Sequence, residues 1–129
     1  MGDRQLVRGE SRWESIVGYS RAVRVGSWVS VAGTTAAGRE GGAIGGDDIA
    51  EQTREALRRI AAALEEVGAR LEHVVRTRMF ITDIDRWEQV ARVHGEFFQH
   101  IRPATSMVEV TRLIDPALPV EIEADAVVS

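Results

Sequence analysis

The sequence predicts an α+β fold with the element order β-β-α-β-α-β-β. Three observations carry this prediction. Two segments repeat apolar residues at helical spacing between clear start and stop signals. Five other segments are short runs rich in Val, Ile and Met that suit strands. Both helices also fall in connections long enough to cross over the sheet. The 129 residues fit one domain, spanning 1–129.

The elements follow in order. Strands at Ala22–Val25 and Ser27–Ala32, joined tightly through Gly26, read as a hairpin. The stretch Gly38 to Gly46 holds five glycines and reads as a mobile loop. It has no Gly-Lys-Ser/Thr ending, so it is not a phosphate-binding loop. Asp48 with Glu51 three residues on marks the start of the first helix. Ile49, Ala56, Leu57, Ile60, Leu64 and Val67 form its apolar stripe, and Gly68 stops it. A strand runs from Val74 to Thr82. Asp85 and Glu88 start a second helix that reaches Phe98, and Pro103 ends the connection. Strands at Thr105–Arg112 and Val120–Val127 flank a turn containing Asp115-Pro116 and Pro119.

Right-handed crossovers place both helices on one face of the sheet and leave the other face bare. Alternation assigns Val29, Val31, Val75, Met79, Val108, Val110, Val120, Ile122 and Ala124 to the helix side. The bare face then holds Trp28, Ser30, Arg76, Arg78, Phe80, Thr105, Met107, Glu109, Glu121 and Glu123. Large apolar groups among balanced charges suit a wet subunit interface better than a solvated surface.

Composition sets bounds on function. The net charge is −4, which offers no electrostatic footprint for nucleic acid or an anionic membrane. Cysteine is absent, which removes disulfides and thiolate zinc sites. Met1 to Glu10 carries no apolar leader core, and apolar runs are only a few residues long, so a cytoplasmic location is expected. His73, His94 and His100 show no metal-ligand spacing, and no metal or cofactor is expected. Ser20, Ser30 and Ser106 show no His/Asp arrangement for a hydrolytic triad.

Several side chains have two readings each. Glu121 is either a partner of Arg76 or Arg78 in an interface ion pair or a general base. Arg78 either pairs with Glu109, Glu121 or Glu123 or supplies a cation to a cleft. His94 shares a helix face with Trp87, Val90, Ala91 and Phe98. It is either a satisfied core residue or an acid/base group. Trp13 and Trp28 either pack or wall a ligand site.

Taken together, the segments resemble the Rid family (reactive intermediate deaminase, also YjgF or endoribonuclease L-PSP). The resemblance runs through Gly18-Tyr19-Ser20, Val31-Ala32-Gly33, the helix with Glu51-Gln52-Thr53, and Val74–Asp83. It continues through Arg102-Pro103-Ala104, Val108-Glu109-Val110, Arg112-Leu113 and Val120–Ala124. It implies a chorismate-mutase-like fold, a homotrimer, and a small-molecule ligand in each inter-subunit cleft. It also implies roles. Tyr19 lines the cleft, Gly33 offers a backbone N–H, and Glu121 activates water.

The sequence departs from the family at three places. Thr105 stands where an arginine two residues after the proline grips the substrate carboxylate. Met107 stands where cysteine is frequent, and Ala91 where asparagine can occur. An arginine makes two charge-assisted bonds of about 1.5–3 kcal/mol each, so its loss weakens carboxylate binding on the order of 10²-fold or more. The expected function is hydrolysis or deamination of a small imine, enamine or related C–N compound that is not a standard 2-imino acid. A non-catalytic ligand-binding or regulatory trimer is the alternative. Ribonuclease action fits an acidic chain poorly.

Overall fold

The computed structural model describes residues 4–129. Its strands are β1 (Arg4–Val7), β2 (Ala22–Val25), β3 (Trp28–Thr34), β4 (Val74–Ile81), β5 (Ala104–Glu109) and β6 (Val120–Val127). Its helices are α1 (Trp13–Val17), α2 (Ile49–Glu66) and α3 (Trp87–Phe98). One mixed sheet has the order β1-β2-β3-β6-β4-β5. All pairings are antiparallel except β4 with β5. The expected order is present, extended by β1 and α1 at the N-terminal end. No helix among the described residues is long and apolar enough to cross a membrane.

Local chemistry accounts for the helix ends. The Asp48 carboxylate accepts from the N–H groups of Ala50 and Glu51 at 3.0 and 3.2 Å, capping α2 as its sequence requires. Gly68 ends α2 with φ +76°, a conformation that favours glycine. The start of α3 differs from expectation. Asp83, not Asp85, accepts from the Asp85 N–H at 3.1 Å, and a single 3-10 turn leads into Trp87. The glycine-rich loop is pinned from α2. Arg59 donates to the carbonyls of Thr35 and Ala37, both at 2.8 Å. Buried Gln52 donates to Gly46 O at 2.6 Å and Ala117 O at 3.0 Å.

The core lies between the helices and one face of the sheet. Leu57, Ile60 and Leu64 of α2 and Val90, Val93 and Phe98 of α3 cluster with Val29, Met79, Ile81, Val120 and Ile122. Each such side chain contributes about 1.5–3 kcal/mol by leaving water. β6 lies at the centre with strict alternation: Val120, Ile122, Ala124 and Ala126 are buried, while Glu121, Glu123 and Asp125 face away from the helices.

Two expectations about faces are corrected. Val75 is exposed, because the β4–β6 register shifts between Val74 and Arg76. The parity of β5 is also reversed. Thr105, Met107 and Glu109 pair with Thr77, Met79 and Ile81, so they share the helix side. Val108 pairs with Phe80 and lies exposed on the open face. The physical reason is that β5 is an edge strand with no buried residue. Apolar residues there do not mark the core. The Glu109 carboxylate instead accepts from the Ile84 N–H at 2.9 Å.

Candidate functional site

The residues singled out in the sequence form two groups on opposite faces of the sheet. The first surrounds Glu121. β3 and β6 lose register between Val31 and Thr34, and Gly33 sits in that irregular stretch. The Glu121 carboxylate lies against Gly33 so closely that a Cβ there would stand 2.7 Å from Glu121 Cδ and 3.2 Å from Cγ. Only glycine leaves that space open. Arg21, absent from the sequence reading, completes the group. Its Nη2 donates to Gly33 O at 2.8 Å, and its guanidinium carbon is 5.7 Å from the centre of the Tyr19 ring. Burial raises the Glu121 pKa above the ordinary carboxylate value, with a further push from Glu123. Arg21 opposes both. Tyr19, Gly33 and Glu121 therefore share one neighbourhood.

Arg78 and Trp28 stand elsewhere on the same face. Arg78 Nη1 pairs with Glu123 at 3.2 Å and Asp125 at 3.3 Å. This is the structural of its two readings, with Glu123 among the expected partners. Neither Arg76 nor Arg78 forms an ion pair with Glu121 among the described residues. Trp28 Nε1 donates to Ser30 Oγ at 2.9 Å, and Ser30 donates to Asp125 at 2.9 Å. The indole itself stays about half exposed beside Val25 and Val127.

The second group lies on the helix side, between α3 and β5. His94 Nε2 is 2.8 Å from Thr77 Oγ1, which is 2.8 Å from Thr105 Oγ1. Thr105 also donates to Pro103 O at 3.2 Å. Each hydroxyl has a single proton. With the Thr105 proton on Pro103 O, a consistent chain has Thr77 donating to Thr105 and the His94 Nε2–H donating to Thr77. Burial lowers the His94 pKa, which favours this neutral, singly protonated ring. Phe98 packs against the ring at 4.6 Å between centroids. A surface groove of about 370 Å³ opens here, lined by His94, Gly95, Phe98, Gln99, Arg102, Pro103 and Thr105. Met107 lies further along β5 and packs against the core.

Sequence reasoning missed Arg21, Thr77 and Arg102. Two of them carried a signal. Thr77 shares parity with Met79 and Ile81, so it is a polar side chain on an apolar face. Arg21 precedes β2 at the parity of Val23, whose partner Ser30 lies on the open face.

Comparison with known proteins resolves the kinship. The Endoribonuclease L-PSP family profile matches residues 9–128. The chain belongs to that family. Its fold is that of a YjgF/YER057c/UK114-family protein from Mycobacterium tuberculosis, with 59% identity, a TM-score of 0.88, and coverage of 97% of this chain and 99% of that one. A Rid-family protein from Yersinia pestis is 31% identical with a TM-score of 0.84, covering 97% and 99% of the two chains. A 2-iminobutanoate/2-iminopropanoate deaminase from Salmonella typhimurium is 32% identical over 112 residues, 84% of this chain and 86% of that protein.

Proposed function

We propose that the chain is a hydrolase of a small imine, enamine or related C–N compound, acting in clefts between the copies of a homotrimer. The observation that carries this reading is the Glu121 carboxylate, desolvated and seated against Gly33 with Tyr19 and Arg21 beside it. A carboxylate with a raised pKa is a stronger base once ionised. It takes a proton from water as the water oxygen attacks the C=N carbon. Glu121 returns that proton to the nitrogen, the carbinolamine's hydroxyl proton passes to the nitrogen as the C–N bond breaks, and a carbonyl compound and an amine leave.

The two groups of site residues support a composite cleft. Glu121 and Thr105 project from opposite faces of one sheet, so a cleft containing both takes them from different copies. The open face also carries exposed Leu6, Val25, Trp28, Val108 and Val127, an apolar surface suited to burial. Thr105 supports a substrate other than a short 2-imino acid. A hydroxyl already committed within a hydrogen-bonded chain does not replace a bidentate guanidinium.

The test is hydrolysis of 2-imino acids generated by an amino acid oxidase, beside a panel of imines and enamines without an α-carboxylate. Turnover of the panel is expected to exceed that of the imino acids and to fall about 10²-fold or more in Glu121→Gln. Equal rates in wild type and Glu121→Gln overturn the reading. Light scattering that shows a monomer at micromolar concentration overturns the trimer. Thr105 favours one second reading, a binding trimer without chemistry. Such a protein turns nothing over and keeps its ligand affinity within about tenfold (~1.4 kcal/mol) in Glu121→Gln.

A further inference from the structure

Arg102 sits at the mouth of the groove that holds Thr105, and its backbone is unusual. Its φ is +57°, the only positive φ of a non-glycine residue among those described. The residue closes the turns that follow α3, with its N–H bonded to Phe98 O at 2.9 Å. Helices commonly close this way on glycine or asparagine, which adopt the left-handed conformation at least cost. Arginine has no such advantage. The following residue is Pro103, which restricts the preceding backbone towards extended conformations. A side chain kept where its backbone is doubly disfavoured has a use that glycine cannot serve.

Within the protein its use is slight. Nε donates to Gln99 O at 3.1 Å, an exposed bond at the helix end. Nη1 and Nη2 bond to no acceptor among the described residues. Two other candidate cations are committed: Arg21 to Gly33 O, and Arg78 to Glu123 and Asp125. Only Arg102 brings a permanent positive charge to the groove lining.

We propose that Arg102 is the anion-binding residue of this groove and that the ligand is a small carboxylic acid, or its imine, held by the two outer guanidinium nitrogens at the α3 end. This rests on the reading of the groove as part of a small-molecule cleft and deepens it by naming the ligand class. An arginine at position 105 would lie on β5, next to Thr77. Arg102 lies between α3 and β5, outside the strand, so the acid group is displaced from that place. The displacement selects acids whose carboxylate is separated from the reacting carbon.

The probes are straight-chain carboxylic acids of two to eight carbons and their primary amides, titrated against the full chain with guanidinium Nε–H resonances followed by NMR. At least one acid is expected to shift the Arg102 resonance and to bind tenfold or more tightly than its amide. Arg102→Lys should keep most of that preference, and Arg102→Gln should lose it. Arg102→Gly is the decisive variant. It relieves the left-handed strain, so its melting temperature should match or exceed wild type while the acid preference disappears. A lower melting temperature in Arg102→Gly with the preference intact makes the arginine structural and overturns the proposal. So does equal binding of acids and amides, or no binding of either. Failure here with Glu121-dependent hydrolysis intact removes only the ligand class. Loss of the Glu121 dependence removes the hydrolase reading itself.

Discussion

Glu121 and Thr105 occupy opposite faces of the sheet and are held by different physics. Glu121 has little hydrogen-bonded support. Its position comes from steric fit over Gly33, and its charge state from desolvation against the nearby Arg21. Thr105 has no such fit. It is the last hydroxyl of a chain that starts at His94, and its orientation comes from directed hydrogen bonds. On the proposed reading, a site whose base is placed by packing and whose pocket is placed by a network should fail in two distinct ways.

The largest effect is expected at the packed end. A methyl group at position 33 needs the space of the Glu121 carboxylate, and that side chain rotates away more easily than β3 moves. Misplacing a catalytic group by about 1 Å costs on the order of 10²-fold. Gly33→Ala should therefore lose turnover by about that factor with the fold retained. Combined with Glu121→Gln it should cost little more, since both changes remove one interaction. Additive losses in the double variant would show that Gly33 serves the reaction independently, through its backbone N–H for instance.

A smaller effect is expected at the networked end, and in stability first. Thr77 is fully buried and partners both His94 and Thr105. Thr77→Val keeps the shape and leaves the partly buried His94 Nε2 without its partner, at about 1–3 kcal/mol. Thr77→Ser retains the hydroxyl and should cost less than the valine change. Denaturant melts of the two variants separate the cases. A valine variant as stable as the serine variant would mean that the chain contributes nothing.

The same contrast explains what the sequence could reveal. On β6 the buried parity is Val120, Ile122, Ala124 and Ala126, all apolar, so the opposite parity of Glu121, Glu123 and Asp125 reads directly. The helix stripes, the Asp48 cap and the Gly68 stop are equally legible, because each is set by residues within one turn. On β5 no residue is buried, and Val108 and Val110 suggested a core face that the edge strand does not have. Thr105 and Met107 were therefore assigned to the wrong side. The bulge that exposes Val75 and the contact between Arg21 and Gly33 O depend on how separate strands meet. Neither leaves a local signature. The resemblance to the family placed Tyr19, Gly33 and Glu121 together where alternation alone placed only Glu121.

The smallest effect, and the one that most sharpens the comparison, is in pH dependence. The two ends should carry opposite signs. Burial raises the Glu121 pKa above its ordinary 4.5, so between that value and the raised one the folded chain holds the extra proton. Stability then falls as pH rises through this window. Glu121→Gln removes the penalty of the buried charge, so its gain over wild type should be present at neutral pH and vanish below about pH 4.5. Burial lowers the His94 pKa below its ordinary 6.5, so between the lowered value and 6.5 the unfolded chain holds the extra proton. Stability is then lost as pH falls from 6.5 towards the lowered value, and His94→Gln should remove that slope. Melting temperatures of the three proteins from pH 4 to 8, at one concentration, read both slopes. If the two variants changed the profile in the same direction, one of the two environments would have been misassigned. Arg21 offsets part of the Glu121 penalty, while nothing comparable opposes the burial of His94.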